Sequence, residues 1–150
     1  MADKIKLSIV TPEREVVDTE VDEIIAPGWD GEFGVLPNHA PFLAIIRSGE
    51  LDYRIGDEVS SMAVGFGFVE VLPDKVTVMI ETAETEEEID LERAMAARDR
   101  AMEALSGKAA DVDFENARAA LMRAISRIQV AQKNKRISQR SVERQYRSSS

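Results

Sequence analysis

The spacing of apolar residues changes period once along this chain, near residue 83, and that change limits the fold to two dissimilar parts. Before it the period is two. Ile5, Leu7 and Ile9 alternate with Lys4, Lys6 and Ser8, and "VDEIIAPG" runs apolar into a Pro-Gly stop. The stretch "FLAIIRSGELDYRIGDEVSSMAVGFGFVEVLPDKVTVMIETA" reads as four or five short strands, with turns at Ser48-Gly49, Gly56-Asp57 and Pro73-Asp74. Many short strands with no helical stretch between them predict a β-sandwich or flattened barrel.

After residue 85 the pattern is helical. "EEEIDLERAMAARDRAMEAL", residues 86–105, is rich in strong helix formers and contains neither Gly nor Pro. Thr85 and Glu88 have capping-box spacing, Asp90 is a rival cap, and Gly107 is a stop signal. Asp111 or Asp113 would cap a second helix. Along it Phe114, Ala117, Leu121, Ala124, Ile128 and Ala131 recur at intervals of three and four, a seam of small residues that lets helices approach closely. The predicted plan is a β-sandwich over 1–84, an antiparallel α-helical hairpin over 85–135, and a basic, partly disordered tail over 136–150. The hairpin's seam is alanine-rich and buries little apolar area, so its closed form is expected to be marginal and mobile.

Charge divides along the same line. Residues 133–147, "KNKRISQRSVERQYR", carry six Lys or Arg against one Glu, a net +5, which leaves −14 on the rest of a chain whose total is −9. A basic end on an acidic body points to an acidic partner. No basic face interleaved with aromatics appears elsewhere, so nucleic acid is not an expected partner. With no cysteine and one histidine, disulfides, thiolate metal sites and most zinc sites are excluded. There is no run of 18 apolar residues and no signal-peptide core, so a cytosolic, metal-free, non-redox protein is expected.

The one histidine, His39, lies in "GEFGVLPNHAPF", residues 31–42. A free-standing enzyme using it as a base lacks a nucleophile in any motif context and a second histidine. The stretch reads instead as a rigid surface loop, turned by Gly31 and Gly34 and held extended before Pro37 and Pro41, presenting Glu32 and His39 outward. No catalytic residue is assigned.

The helices carry a second constellation. Asp90, Arg93 and Arg100 share or border one helix face, and Arg123 and Arg127 share another. If the chain turns near residue 108, Arg93 lies across from Arg123 and Asp90 from Arg127. Two guanidiniums brought together call for an anion between them, and their planar fork suits a phosphate. The competing reading pairs these arginines with nearby glutamates as solvated salt bridges, each worth a few tenths of a kcal/mol, roughly. There is no Walker-type glycine loop, so a nucleotide held here would be sensed rather than hydrolysed.

Taken together, "GEFGVLPNHAPFLAIIRSGEL", "VEVLPDKVTVM" and the succession "IDLERAMAARDRA", "DVDF" and "ARAALMRAISRIQVA" resemble the ε subunits of F-type, proton-translocating ATP synthases of the bacterial type, over about residues 3–132. The resemblance implies a non-catalytic rotor subunit whose sandwich docks on the γ subunit and the membrane rotor ring, coupling proton flow to ATP synthesis. Glu32 would face the ring and His39 γ. It implies a hairpin that either folds on the sandwich or extends into the catalytic α/β head. In the extended form Lys133, Lys135, Arg136 and Arg140 would meet acidic catalytic subunits and block ATP hydrolysis. It implies no required cofactor, but ATP as a regulatory ligand of the folded hairpin. Ile89, Asp90, Arg93 and Ala94 match the binding motif, Arg123 and Arg127 the second-helix arginines, and Glu84 and Arg100 accessory positions. The alternative is a structural stalk adaptor with no nucleotide response. The implied location is the cytoplasmic face of a bacterial plasma membrane, peripherally, with a thylakoid membrane as the alternative. Two departures stand out. Phe66 occupies a position where the family usually has glycine, and the basic tail runs longer than is common.

Overall fold

The structure is a computed structural model that describes residues 3–107 and 113–148, apart from the side chains of 134–146 and 148. Ten strands form one hydrogen-bonded sheet that folds over into a sandwich. They are β1 (Ile5–Val10), β2 (Glu15–Val21), β3 (Glu23–Gly28), β4 (Gly31–Val35) and β5 (Phe42–Ile46), followed by β6 (Gly49–Ile55), β7 (Glu58–Val64), β8 (Gly67–Val71), β9 (Lys75–Ile80) and β10 (Ala83–Thr85). The order is β10-β7-β6-β3-β5-β8-β9-β1-β2, with β4 paired to β3. β1 and β9 run parallel and the other pairings are antiparallel. Two helices follow, α1 (Leu91–Leu105) and α2 (Phe114–Ser148). The expected sandwich and helical pair are both present, and the three expected strand turns fall between β5 and β6, β6 and β7, and β8 and β9.

The period-two pattern works as the sequence requires. Ile5, Leu7 and Ile9 are buried to 1% or less, and they join Val21, Ile24, Ile46, Leu51, Met62, Val69, Val71, Val76 and Val78 in one core. Each such aliphatic side chain contributes about 1.5–3 kcal/mol on burial. The hairpin buries mainly Ala94, Ala101, Ala124, Ile128, Val130 and Ala131. An alanine offers one methyl, worth about 0.8 kcal/mol, so the hairpin's closure is far weaker than the sandwich. Phe114, expected in its seam, is 48% exposed.

The turns gather at two poles. Trp29 N–H donates to Ile45 O, Arg47 N–H to Pro27 O, Gly65 N–H to Thr82 O and Glu81 N–H to Phe66 O, closing the first pole. Asp22 N–H donates to Arg54 O and Asn38 N–H to Pro73 O at the second. This placement corrects the expected surface loop. Gly31–Val35 is a strand paired with β3, because Phe33 and Val35 turn inward in alternation, so Glu32 and His39 sit at opposite poles. Gly31 takes φ 131° at the turn and Asn38 φ 65°, whereas Gly34 lies within the strand.

Phe66 has no positive φ and is 48% exposed. Its neighbours carry the steric demand instead: a Cβ on Gly67 would collide with the Met79 carbonyl oxygen, and one on Gly65 with Thr82 Oγ1. The glycine-to-phenylalanine departure therefore leaves the strand geometry intact.

Both expected helix starts are used. Thr85 N–H and Oγ1 donate to Glu88 Oε1 at 3.2 and 2.9 Å around a 3-10 turn, Glu86–Glu88. Ile89 is then extended, and Asp90 caps α1, accepting the Arg93 N–H at 3.1 Å. The single helix expected from residue 86 is thus split. Gly107, at φ 81°, ends α1, and Asp113 accepts the Asn116 N–H at 3.2 Å to start α2; Asp111 lies outside the described residues. α2 runs 35 residues, past the boundary expected at 135. No Gly or Pro interrupts the sequence there, so the basic segment through Ser148 continues the helix.

Candidate functional site

A cavity of about 410 Å³ opens where the last strand, α1 and α2 converge. Glu84 reaches it from β10, Glu88 from the 3-10 turn and Asp90 from the cap of α1. Arg93, Ala94, Ala97 and Arg100 line it from α1, and Arg127 from α2. The spacing 93, 97, 100 puts three of these on successive turns of one helix face. Buried Ala94 is small enough to let the two helices meet beside the opening.

The charges here are unequally engaged. Arg127 donates from Nε to Glu84 Oε1 at 2.7 Å, and its Nη2 lies 2.6 Å from the same oxygen. Glu88 is held by Arg14 Nη2 at 2.6 and 2.8 Å, and the bond to that guanidinium, helped by Thr85, holds its carboxyl below the usual range. Asp90 is occupied by its cap. Arg93 and Arg100 are exposed and make no ion pair among the described residues, so two guanidiniums face the cavity with no counter-charge of their own. Such a pair can take a phosphate or carboxylate group bidentately.

The structure brings together Glu84, Asp90, Arg93, Ala94, Arg100 and Arg127 of the expected set. Ile89 is half-buried next to the cap and lies off the lining. Arg123 lies off this lining, in a groove of about 580 Å³ with Trp29, Arg47, Phe66 and Met122, and shares a small crevice with Glu84 and Arg127. Of the two expected pairings, Asp90 and Arg127 do meet at the cavity, while Arg93 shares it with Arg127, one helical turn further along α2 than the expected Arg123. Glu88 and Ala97 were not foreseen as lining residues. The capping-box spacing exposed Glu88 as a structural residue, but nothing in the local sequence revealed Arg14 as its partner 74 residues away.

The outward residues divide. His39 is exposed, its Nδ1 lies 3.1 Å from Ala40 O, and its ring meets Phe42 edge-on at 5.3 Å. No carboxylate orients it among the described residues, so it is not arranged as a catalytic base. Glu32 is exposed at the first pole. Lys133 is not free in this form: it donates to Asp52 Oδ2 at 2.9 Å and Glu50 Oε2 at 3.4 Å. The side chains of Lys135, Arg136 and Arg140 lie outside the described residues.

Comparison with known proteins agrees with this architecture. A family model described as the beta-sandwich domain of the ATP synthase Delta/Epsilon chain matches residues 4–86, and one described as its long alpha-helix domain matches 87–132. The ATP synthase epsilon chain of Syntrophobacter fumaroxidans is 51% identical over 133 residues, covering 89% of this chain and 99% of that one. That of Geobacter metallireducens is 51% identical over 137 residues, covering 91% and 99%. A chain from the Euglena gracilis mitochondrial ATP synthase (OSCP/F1/c-ring) has a TM-score of 0.72 at 22% identity, covering 81% of this chain and 78% of that one, and shows the shared fold.

Proposed function

The chain belongs to the ATP synthase delta/epsilon family, as an epsilon chain of the bacterial type, and from that premise we propose that it is a central-stalk subunit whose helical hairpin senses ATP. It is non-catalytic on its own. Its partners in this reading are the γ subunit, the membrane rotor ring and the catalytic α/β subunits, with the sandwich's two poles, at Glu32 and His39, as contact points. It sits peripherally at the membrane; no helix among the described residues is long and apolar enough to cross one.

The observation that carries nucleotide sensing is the cavity between the helices, where Arg93 and Arg100 stand uncommitted beside Arg127. A phosphate group there would neutralise the arginines on both sides of the hairpin and favour the folded form. A ligand shifts such an equilibrium only by its differential affinity for the two states. In the extended form the basic end of α2 would meet acidic catalytic subunits and slow ATP hydrolysis. Thermal melting with and without ATP tests the reading. ATP should raise the melting temperature of the full chain, and Arg93→Ala should abolish that rise. No ATP-dependent rise in the unmodified chain would overturn it.

The second reading, a structural stalk adaptor with no nucleotide response, is favoured by one observation. Glu84, Glu88 and Asp90 supply carboxylates inside the same cavity, and Glu84 already meets Arg127. The same melting experiment decides between the two.

A further inference from the structure

Lys133 lies where α2 crosses β6, one residue beyond the matched long-helix domain, which ends at 132. It faces two carboxylates on neighbouring outward positions of that strand. Asp52 Oδ2 accepts from its Nζ at 2.9 Å and Glu50 Oε2 at 3.4 Å. The other oxygens, Glu50 Oε1 and Asp52 Oδ1, are buried and accept no hydrogen bond among the described residues. The strands alongside add no cation: β7 places Ala63 and Ser61 opposite the pair, and β3 places Ile25 opposite Asp52. Glu32 on β4 adds negative charge near Glu50. Among the described residues, two carboxylates thus share one ammonium.

That ammonium begins a series. At about 100° per residue, positions 133, 136, 140, 144 and 147 of α2 fall within a stripe about 80° wide, and all five are Lys or Arg. The first member of this basic stripe is therefore seen taking a carboxylate pair, the chemistry an acidic protein segment would offer it.

We propose that Glu50 and Asp52 are an internal acidic acceptor for the basic end of α2, so that the folded hairpin and an acidic partner compete for Lys133. The contact is autoinhibitory: while β6 holds Lys133, the stripe cannot use its first cation elsewhere. Its imbalance suits release. Burying two carboxylates with one cation carries a desolvation cost that offsets much of the attraction, so the latch holds without locking. This inference rests on the two-state hairpin of the preceding subsection, and it adds a closing contact remote from the arginine cavity.

The chain has no cysteine, so Asp57→Cys in the β6–β7 turn and Gln129→Cys on the exposed side of α2 allow fluorescence transfer to follow opening in the full chain. Lys133→Ala and Asp52→Asn should each raise the open fraction about five-fold, the ratio corresponding to a part-exposed ion pair of about 1 kcal/mol. Lys133→Arg should restore closure. An oligoglutamate peptide should open the unmodified chain, and should bind Asp52→Asn about five-fold more tightly. A Lys133→Ala distribution identical to that of the unmodified chain overturns the latch. So does peptide binding that leaves the distance unchanged, or equal tightening by anionic vesicles alone. Opening by Arg127→Ala with no response to Lys133→Ala removes the latch and leaves the two-state hairpin standing. A hairpin that stays shut in both removes both.

Discussion

Arg127 on α2 holds a single oxygen of Glu84 on β10 with two of its nitrogens, at 2.7 and 2.6 Å, and so joins the second helix to the last strand of the sheet across 43 residues. Because the hairpin's seam is mostly alanine, a polar tie of this kind weighs more here than it would on a well-packed helix. It also places the guanidinium at the cavity wall, where it adds to the field of Arg93 and Arg100.

Arg127→Ala is therefore expected to do two things at once. It should favour hairpin opening by about 1 kcal/mol, a value kept low because the side chains remain 30% and 29% exposed. It should also weaken any ATP response. Fluorescence transfer and thermal melting read the two effects separately, and an unchanged open fraction would show that the tie contributes nothing.

Arg93→Ala and Arg100→Ala should behave differently. Neither residue makes an ion pair among the described residues, so their loss should leave stability without nucleotide unchanged or raised by up to about 0.5 kcal/mol, read as an equal or slightly higher melting temperature. The ATP-dependent rise should disappear. A variant that melts lower yet keeps its ATP response would contradict the assignment.

Acid should act on the molecule in two stages. Glu50 is pushed up first by burial and then by Asp52 and Glu32, against the pull of Lys133. Relative to the unfolded chain the folded protein takes up this proton more readily, so the cost of the Glu50 charge is relieved as pH falls from the raised value towards the ordinary carboxylate value. Asp22 is pulled down, first by the Gly56 N–H at 2.7 Å and then by Lys4, and Glu88 by Arg14 and Thr85. Their contribution is present above the ordinary carboxylate value and is lost as pH falls through the lowered ones. In thermal melting against pH, the gain in stability just above the ordinary carboxylate value should be lost in Glu50→Gln, and the acid limb should flatten in Asp22→Asn.

The glycines flanking Phe66 give the fourth expectation. Gly67→Ala should cost about 1–3 kcal/mol or prevent folding, because its Cβ would enter the space of the Met79 carbonyl. Phe66→Gly should stay within about 1 kcal/mol of the unmodified chain in denaturant unfolding. The reverse order of severity would mean that the strand is shaped by Phe66.

Local pattern carried most of the fold and about half of the site. Alternation at Ile5, Leu7 and Ile9 and the caps at Thr85, Asp90 and Asp113 are short-range features, and each acts in the structure where the sequence placed it. What the count missed was which arginine of α2 sits beside Arg93. Counting residues about a turn near 108 puts Asp90 opposite Arg127, and both line the cavity. It also puts Arg123 opposite Arg93, whereas Arg127, one turn further along the same face of α2, shares the cavity with Arg93 and Arg123 lines the groove beside Trp29. The Lys133 contacts and the Arg14–Glu88 pair join residues more than 70 positions apart. No spacing rule connects such residues before the chain is folded.

The poles of the sandwich have a mechanical consequence. Glu32 begins β4 at one pole and His39 follows its end at the other, and β4 is hydrogen-bonded along its length to β3. In the proposed reading, a ring at the first pole and a shaft at the second would pass torque through one continuous length of backbone. The load then runs along the strands, where ladder hydrogen bonds share it in shear instead of opening one at a time. Such a subunit would be stiff in the direction in which a rotor is twisted, while the weakly held hairpin leaves through β10, at one end of the sheet order, and packs on β6 and β7.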